Sequence, residues 1–512
     1  MTYLCVPIFA RDAEQVRSDV SAAVLAGAEM IELRLDTLPE GATTEEWAEV
    51  IAPRKSWPVP WIATCRPTWE GGNFAGSEEN RIQILTAACA SAPYVDVELA
   101  AADALAPRAA KRVVSAHDFR GRPERMHQLL IELNAARCDV QKIVWMARSV
   151  RDNLEAFEIL GRAAKPTVAL CMGEAGVISR ILAGKFGAFL TFASLDRDSA
   201  TAPGQVSIEQ MRDLYRWHKI QSVTKVYGVV ASPVAHSMSP AIHNAAFDAA
   251  GYDGVYVPLL VQPGYESFKA FMEMFVPFKR LDLCGLSVTL PHKENALRYL
   301  QEKGAQIEEL AARIGAVNTI VIDRSGAEPR LSGINTDYAA ILDSITEALG
   351  CERRDLAGVS VAILGAGGTG RTAVAALAHC GAKIVVYNRT PSKAAALAEE
   401  FPGVVCEPWE NLHESDCRVY VNTTSVGMHP KVGDSPFGLK HPKLTADSVV
   451  FDTIYNPIQT RMLTQASAAG AKTISGVEMF VKQAAEQFAA WTGKAAPVDV
   501  MRRVVERQLQ LS

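Results

Sequence analysis

No run of about 18 uncharged apolar residues occurs anywhere in the 512-residue sequence, so no membrane-spanning helix is expected. The first residues, Met1-Thr-Tyr-Leu-Cys-Val-Pro-Ile, lack the basic opening and long apolar stretch of a secretion signal. They also lack the Arg/Ser richness of a transit peptide, and read directly as a short strand. Cysteine is sparse: ten residues, scattered, with no C-x-x-C pair, which reads as free and mostly buried thiols. No His-rich tract or H-E-x-x-H spacing occurs, so no metal site is expected. There is no excess of positive charge. The net charge of -5 argues against nucleic acid as the main partner, and any anionic ligand must find its cations locally. No internal repeat or low-complexity tract is present. What the chain does have is apolar content, 49%, ample for packed cores. Its length suggests about three domains at roughly 100–200 residues each.

The first 200 or so residues alternate strand-like and helix-like runs. Strands are expected at 3–8, 30–35, 59–65, 94–99, 112–116, 140–146, 167–171 and 188–192. Ala-rich amphipathic stretches such as 13–26 and 79–90 lie between them. Eight such βα repeats predict an α/β fold that begins with a closed parallel (β/α)8 barrel, with its active site at the strand C-termini. A junction is expected at 216–223. A second α/β unit opens with Lys225-Val-Tyr-Gly-Val-Val and runs to about 340, and a third opens at Ser360-Val-Ala-Ile-Leu and runs to about 475. One long helix, 477–511, is expected to pack back on the middle unit.

Several expected barrel strands carry charges where apolar residues belong. Glu32 and Arg34 are two apart and share one side of a strand, and Thr64 and Arg66 repeat the arrangement on the next. Any one such pair reads as well as a structural ion pair. Two neighbouring strands each presenting an arginine point to an anion site, since a guanidinium fork suits a carboxylate. Lys142 lies within the apolar run Val140-Gln-Lys-Ile-Val-Trp-Met. Burial should lower its pKa, and a neutral amine can attack a ketone to form a Schiff base. A lysine at the strand rim, reaching water, is the alternative. His117, in Ser115-Ala-His-Asp-Phe, ends the preceding strand, where an imidazole can shuttle a proton; taken alone, it reads more readily as a surface or satisfied core histidine.

These pieces resemble type I 3-dehydroquinate dehydratase over residues 1 to about 215. The matching segments are Glu32-Leu-Arg-Leu-Asp, Thr64-Cys-Arg-Pro-Thr-Trp-Glu-Gly-Gly, Ser115-Ala-His-Asp-Phe, Lys142, Met172-Gly-Glu-Ala-Gly-Val-Ile-Ser-Arg180 and Ala202-Pro-Gly-Gln205. The resemblance implies that Lys142 forms an imine with the substrate ketone. It implies that His117 moves the proton, tuned by Glu70. It assigns Glu32, Arg34, Arg66, Arg180 and Gln205 to the carboxylate and hydroxyls, and Met172 to a place near the imine. Thr201 stands where many relatives have serine and keeps the hydroxyl.

In the last third, Gly365-Ala366-Gly367-Gly368-Thr369-Gly370 follows an apolar strand and precedes a helical run. That is the context in which a glycine-rich turn cradles the phosphates of a dinucleotide. The next strand ends in Asn388-Arg389-Thr390-Pro-Ser-Lys393, with no acid for ribose hydroxyls. Two cations and a hydroxyl fit a 2′-phosphate and favour NADP; solvated loop charges are the alternative.

The middle unit holds Ser237-Met-Ser239, Ser287-Val-Thr289-Leu-Pro-His-Lys293, Ala316-Val-Asn318-Thr and Gly333-Ile-Asn-Thr-Asp337. With Asn422-Thr423-Thr-Ser425-Val-Gly-Met428, Asp452-Thr-Ile-Tyr455-Asn-Pro and Gly476-Val-Glu-Met-Phe-Val-Lys-Gln483, residues from about 224 to 510 resemble shikimate dehydrogenase. The resemblance implies a Lys293–Asp337 catalytic dyad. It places Ser237, Ser239, Thr289, Asn318, Tyr455 and Gln483 on the substrate, and Thr423, Ser425, Met428 and Gly476 on the cofactor.

The expected layout is a barrel at 1–220, a substrate-binding domain at 224–340 completed by about 477–512, and a Rossmann-type NADP domain at 341–476. The implied enzyme has two activities and acts on small molecules in the cytoplasm, or in a plastid for a plant protein. A fusion serving quinate metabolism and a non-catalytic regulatory homologue are the alternatives.

Overall fold

The computed structural model describes residues 2–38, 49–50, 57–106, 109–195, 205–235 and 237–511. Thr201 lies outside the described residues. The chain separates into two compact units, Met1–Pro240 with Asp253–Leu283 and Ala241–Tyr252 with Cys284–Ser512.

The first unit is built on eight strands: β1 (Tyr3–Phe9), β2 (Met30–Arg34), β3 (Trp61–Thr64), β4 (Tyr94–Glu98), β5 (Lys111–Asp118), β6 (Val140–Met146), β7 (Thr167–Met172) and β8 (Leu190–Phe192). They form one sheet in the order β7-β6-β5-β4-β3-β2-β1-β8, and neighbours pair in parallel. Phe189 N donates to Thr167 O at 2.8 Å and ties the entry of β8 back to β7, closing a TIM-type barrel.

Local chemistry sets the intervening helices. Asp12 caps Ala13–Ala26 by accepting from Glu14 N and Gln15 N, and Gly27 ends it at φ +104°. Inside the barrel, Cys5, Met30, Ile62, Val113, Val140, Val168 and Leu190 join one apolar core. Burying them is what pays for ordering the strands, and it leaves the layer nearer the strand C-termini for polar groups. Ladder register aligns that layer: Arg34 stands beside Thr64, Thr64 beside Asp96, Glu98 beside Ser115, and Ser115 beside Lys142.

The junction is more than a tether. Trp217 and Ile220 are buried, and Lys185 Nζ, also buried, donates to Ser222 O and Thr224 O at 2.9 and 2.7 Å. Beyond it, Lys225–Ala231 and Gly254–Leu260 pair in parallel within the same unit.

In the second unit, Leu283–Val288, Thr319–Asp323 and Arg330–Ile334 pair antiparallel in that order, and Gln306–Ile307 joins the last in parallel. A six-stranded parallel sheet follows. Numbered along the chain from Ser360–Leu364 to Lys472–Ile474, its strands lie in the order 3-2-1-4-5-6, the doubly wound arrangement of dinucleotide-binding domains. Its core includes Val361, Ile363, Ile384, Val386, Val419, Val421, Val449 and Phe451.

The single helix expected at 477–511 is two helices, Gly476–Thr492 and Val498–Leu511. Gly493, at φ +67°, ends the first, and Pro497 precedes the second. Trp491 Nε1 donates to Ile320 O at 3.1 Å, which packs the first of them on the antiparallel strands.

Candidate active sites

Nine residues expected in the barrel site line one cavity of about 260 Å³: Glu32, Arg34, Arg66, Glu70, His117, Lys142, Met172, Arg180 and Gln205. Lys142 is only 4% exposed, and its Nζ lies 3.0 Å from Asp96 Oδ2 and 3.2 Å from Glu32 Oε1. It also sits 4.8 Å over the Phe192 ring. It is therefore not the rim lysine that was the alternative, and two carboxylates for which the sequence named no such role accompany it. The strand, being buried on both faces, could hold a lysine only with such partners.

Arg66 is fully engaged. It contacts Asp96 Oδ1 at 2.6 Å and Ser115 Oγ at 2.8 Å, pairs with Glu98, and reaches Glu70 at 3.5 Å. Burial alone would raise the Asp96 carboxyl, but Arg66 and Lys142 outweigh it and hold Asp96 well below the usual carboxylate range. Arg34 forms a two-pronged pair with Asp36, at 2.8 and 2.7 Å. Arg180 differs. It is 3% exposed and donates to Cys171 O, and among the described residues no carboxylate pairs with it. Burial pulls it down to about 10.

Glu70 Oε2 stands 2.9 Å from His117 Nδ1. Burial pushes the Glu70 carboxyl up to about 8, while burial, then Arg66 and Lys142, push the His117 imidazole well below its ordinary value. With Nδ1 taken by Glu70, Nε2 is the nitrogen left for chemistry.

Asp96, Glu98 and Ser115 were not anticipated. The signal was available: Asp96 and Glu98 alternate in Tyr94-Val-Asp-Val-Glu98 as Glu32 and Arg34 do in theirs.

In the second unit, Lys293 Nζ lies 2.6 Å from Asp337 Oδ2, with the lysine about a third exposed. Lys293 opens the helix Lys293–Glu302, and Asp337 stands in the first turn of Thr336–Leu349, whose positive end favours a carboxylate. Asn318 is buried, and its amide holds the start of that helix: Nδ2 donates to Thr336 Oγ1 at 3.0 Å, and Oδ1 accepts from Thr336 N at 2.9 Å. Tyr455 stacks on Phe480 at 5.2 Å, and Gln483 Nε2 donates to Phe480 O at 2.9 Å. Thr289 is half-buried at the end of Leu283–Val288. One turn beyond Gln483, the unanticipated Gln487 is buried and accepts from Ser287 Oγ at 2.8 Å. Ser237 and Ser239 belong to the first unit, where Ser237 Oγ accepts from Ser239 N at 3.3 Å.

The glycine-rich turn sorts its glycines by what a side chain would meet. At Gly370 a Cβ would fall 2.3 Å from Gly365 O, and at Gly365, φ +110°, 2.8 Å from Thr424 Cγ2. At Gly367 and Gly368 it would meet no protein atom within 4 Å. The first two glycines are required by the fold, and the second two leave the approach to the helix N-terminus open, which fits a dinucleotide's phosphates. Ala366 N donates to Asn388 Oδ1 at 3.1 Å, which ties the turn to the next strand's end. There Arg389, Thr390 and Lys393 are exposed, and Thr369 is half-buried in the helix. Thr423 Oγ1 donates to Leu364 O at 2.9 Å, while Ser425 and Met428 are exposed beyond it. Gly476 is required too, since a Cβ there would meet Ile454 backbone at 2.4 Å.

Comparison with known proteins follows the same division. A family model described as type I 3-dehydroquinase matches residues 4–222, and models described as shikimate dehydrogenase substrate binding domain, shikimate/quinate 5-dehydrogenase and shikimate 5′-dehydrogenase C-terminal domain match 229–320, 348–425 and 476–506. The chloroplastic bifunctional 3-dehydroquinate dehydratase/shikimate dehydrogenase of Arabidopsis thaliana is 37% identical, over 98% of this chain and 84% of its own length. The shikimate dehydrogenase (NADP(+)) of Methanosarcina barkeri is 38% identical over 56% of this chain and 99% of its own. A solved structure of dehydroquinate dehydratase and shikimate dehydrogenase from S. pombe is 26% identical with a TM-score of 0.45, covering 99% of this chain and 98% of that one.

Proposed function

The chain belongs to the family of bifunctional 3-dehydroquinate dehydratase/shikimate dehydrogenases, and on that premise we propose which of its residues carry each reaction. It is a shikimate-pathway enzyme with two activities: it dehydrates 3-dehydroquinate to 3-dehydroshikimate and reduces 3-dehydroshikimate to shikimate, with NADP as cofactor.

In the barrel, the Lys142 amine adds to the substrate ketone and water leaves, giving an imine. Glu32, 3.2 Å away, is placed to accept the proton that Lys142 must shed first, while Asp96, 3.0 Å away and held ionised, fixes the amine in position. The imine draws electrons from the neighbouring C–H bond, and His117 Nε2 takes that proton. The electron pair then expels the hydroxyl, which departs as water with the proton returned by His117. Hydrolysis of the imine frees the product and Lys142. Glu70 fixes the ring through Nδ1. Arg180 is assigned to the substrate carboxylate because it is the cavity arginine with no acid partner among the described residues, and Arg34, Arg66, Glu32 and Gln205 to its oxygens. Met172 lines the same cavity.

In the second reaction, bound NADPH supplies the hydride. Lys293 gives a proton to the carbonyl oxygen, and Asp337 at 2.6 Å orients it and restores the charge balance. Ser237, Ser239, Thr289, Asn318, Tyr455 and Gln483 are assigned to the substrate. The 365–370 turn, with Asn388, Arg389, Thr390, Lys393, Thr423, Ser425, Met428 and Gly476, is assigned to the cofactor.

The three-domain division at 1–220, 224–340 with about 477–512, and 341–476 is proposed on the match boundaries. A reducing compartment is proposed on ten cysteines with no disulfide; the cytoplasm and a plastid both satisfy it. No described helix is long and apolar enough to cross a membrane. The relatives named for shikimate disfavour the quinate alternative, and the presence of Lys142, His117, Lys293 and Asp337 disfavours a non-catalytic homologue.

The observation that carries the barrel assignment is Lys142, buried beside two carboxylates in the cavity that His117 also lines. Borohydride reduction in the presence of 3-dehydroquinate tests it: a stable adduct on Lys142 is expected, and an adduct on another residue contradicts it.

A further inference from the structure

The ion pair of Lys142 and Asp96 does not end at the cavity wall. Asp96 pairs with Arg66 through its other oxygen, at 2.6 Å. Arg66 pairs with Glu98, and Glu98 through its other oxygen pairs with Arg81. Arg81 holds Glu78, Nε to Oε2 at 2.9 Å, on the outer helix Glu78–Ala88. Charges alternate at every step, and only the last residue, Glu78, reaches solvent.

Arg81 is the member that needs explaining. It lies on the helix, outside the strands, yet it is 0% exposed. A buried guanidinium is costly unless its donors are all taken, and removing one partner of such a pair leaves the other uncompensated. Its third acceptor is Cys65 O, at 3.0 Å, the carbonyl next to Arg66 in the chain. Arg81 thus holds Arg66 twice, through its backbone and through its counter-ion Glu98. Burial pushes Glu98 upward, and Arg66 and Arg81 are the groups that pull it back toward the ionised form.

We propose that Arg81 is a positioning residue of the dehydratase: through Glu98 and the Cys65 carbonyl it fixes the Arg66 guanidinium, and through Arg66 the Asp96 carboxylate that faces Lys142. The inference rests on Lys142 being the imine-forming residue. Without Arg81, Glu98 is left with one cationic partner and Arg66 loses its backbone tether. Asp96 then meets Lys142 in a less defined position, so the chemical steps slow while the substrate-binding face keeps its residues.

The test is Arg81→Met in the full chain, with borohydride trapping and steady-state dehydration measured together. Trapping stoichiometry on Lys142 counts competent barrels and, in the wild type, tests the underlying assignment separately. The expected result is unchanged stoichiometry, a kcat about tenfold lower and KM within about twofold, since small misplacements of catalytic groups act on the chemical step. Arg81→Lys, which keeps the charge but not the three-way reach, recovers part of kcat. The exposed pair Arg162–Glu158 supplies the control, Glu158→Gln, with wild-type kcat. If Arg81→Met lowers the stoichiometry by unfolding, Glu98→Gln, isosteric and still hydrogen bonding, decides, with the same tenfold loss in kcat expected. Wild-type kcat in a fully trapped Arg81→Met or in Glu98→Gln overturns the proposal.

Discussion

Glu70 Oε2 and His117 Nδ1 are 2.9 Å apart, and burial works on them in opposite directions, raising the carboxyl to about 8 and depressing the imidazole. Both shifts disfavour charge on the buried pair. A glutamine at 70 keeps the shape and loses the titration. Glu70→Gln is expected to lower dehydratase kcat by about tenfold, the order for a loosened catalytic base. A stability consequence has a definite sign. A carboxyl raised in the folded state contributes stability at low pH that is lost as pH climbs through its folded value. Glu70→Gln should therefore gain on the wild type in urea unfolding between about pH 5 and pH 8. A variant that holds level with, or loses ground to, the wild type as pH rises over that range contradicts the assigned shift.

Asp96 counters two cations, Arg66 and Lys142, in the dry barrel. Asp96→Asn leaves Lys142 with Glu32 alone and Arg66 with Glu98 and Glu70, and removing one partner from such buried pairs costs about 3–5 kcal/mol. Chemical denaturation followed by dehydratase activity should show that loss, together with loss of catalysis. Since Asp96 is held below the usual carboxylate range, the wild type's advantage should fall only as the medium becomes strongly acidic.

The glycines of the nucleotide turn predict a contrast. Gly370→Ala drives a methyl to 2.3 Å from Gly365 O and should destabilise the nucleotide domain itself, read as a lower melting temperature without ligand. Gly367→Ala meets no protein atom, so melting without ligand should stay close to wild type while NADPH affinity falls. Equal melting temperatures for both variants contradict the division.

Much of this was legible in the sequence, and for identifiable reasons. Apolar strands punctuated by helices placed all eight barrel strands, because burial on both faces leaves a continuous apolar run. The charges at 32, 34, 66 and 142 stood out against that background. Who pairs with whom was not legible, because it depends on the register across strands: Asp96 meets Lys142 and Arg66 only once β3, β4, β5 and β6 are aligned. The long final helix was misjudged because its apolar periodicity continues past Gly493 and Pro497, which break the backbone without breaking the pattern.

At the cofactor's adenosine end, Arg389 and Lys393 are exposed cations where an acid would favour NAD. Arg389→Ala combined with Lys393→Ala should raise KM for NADPH by about tenfold or more, as expected for losing charge-assisted bonds to a 2′-phosphate, and leave KM for NADH nearly unchanged. Equal effects on both cofactors contradict the assignment.

The central claim is that Lys142 starts a reaction whose product the second half reduces. NADPH oxidation on adding 3-dehydroquinate alone tests it most directly, with Lys142→Ala run beside the wild type. The account predicts oxidation by the wild type, none by the variant, and full oxidation by both when 3-dehydroshikimate is supplied instead. Oxidation by Lys142→Ala with 3-dehydroquinate at the wild-type rate would contradict it.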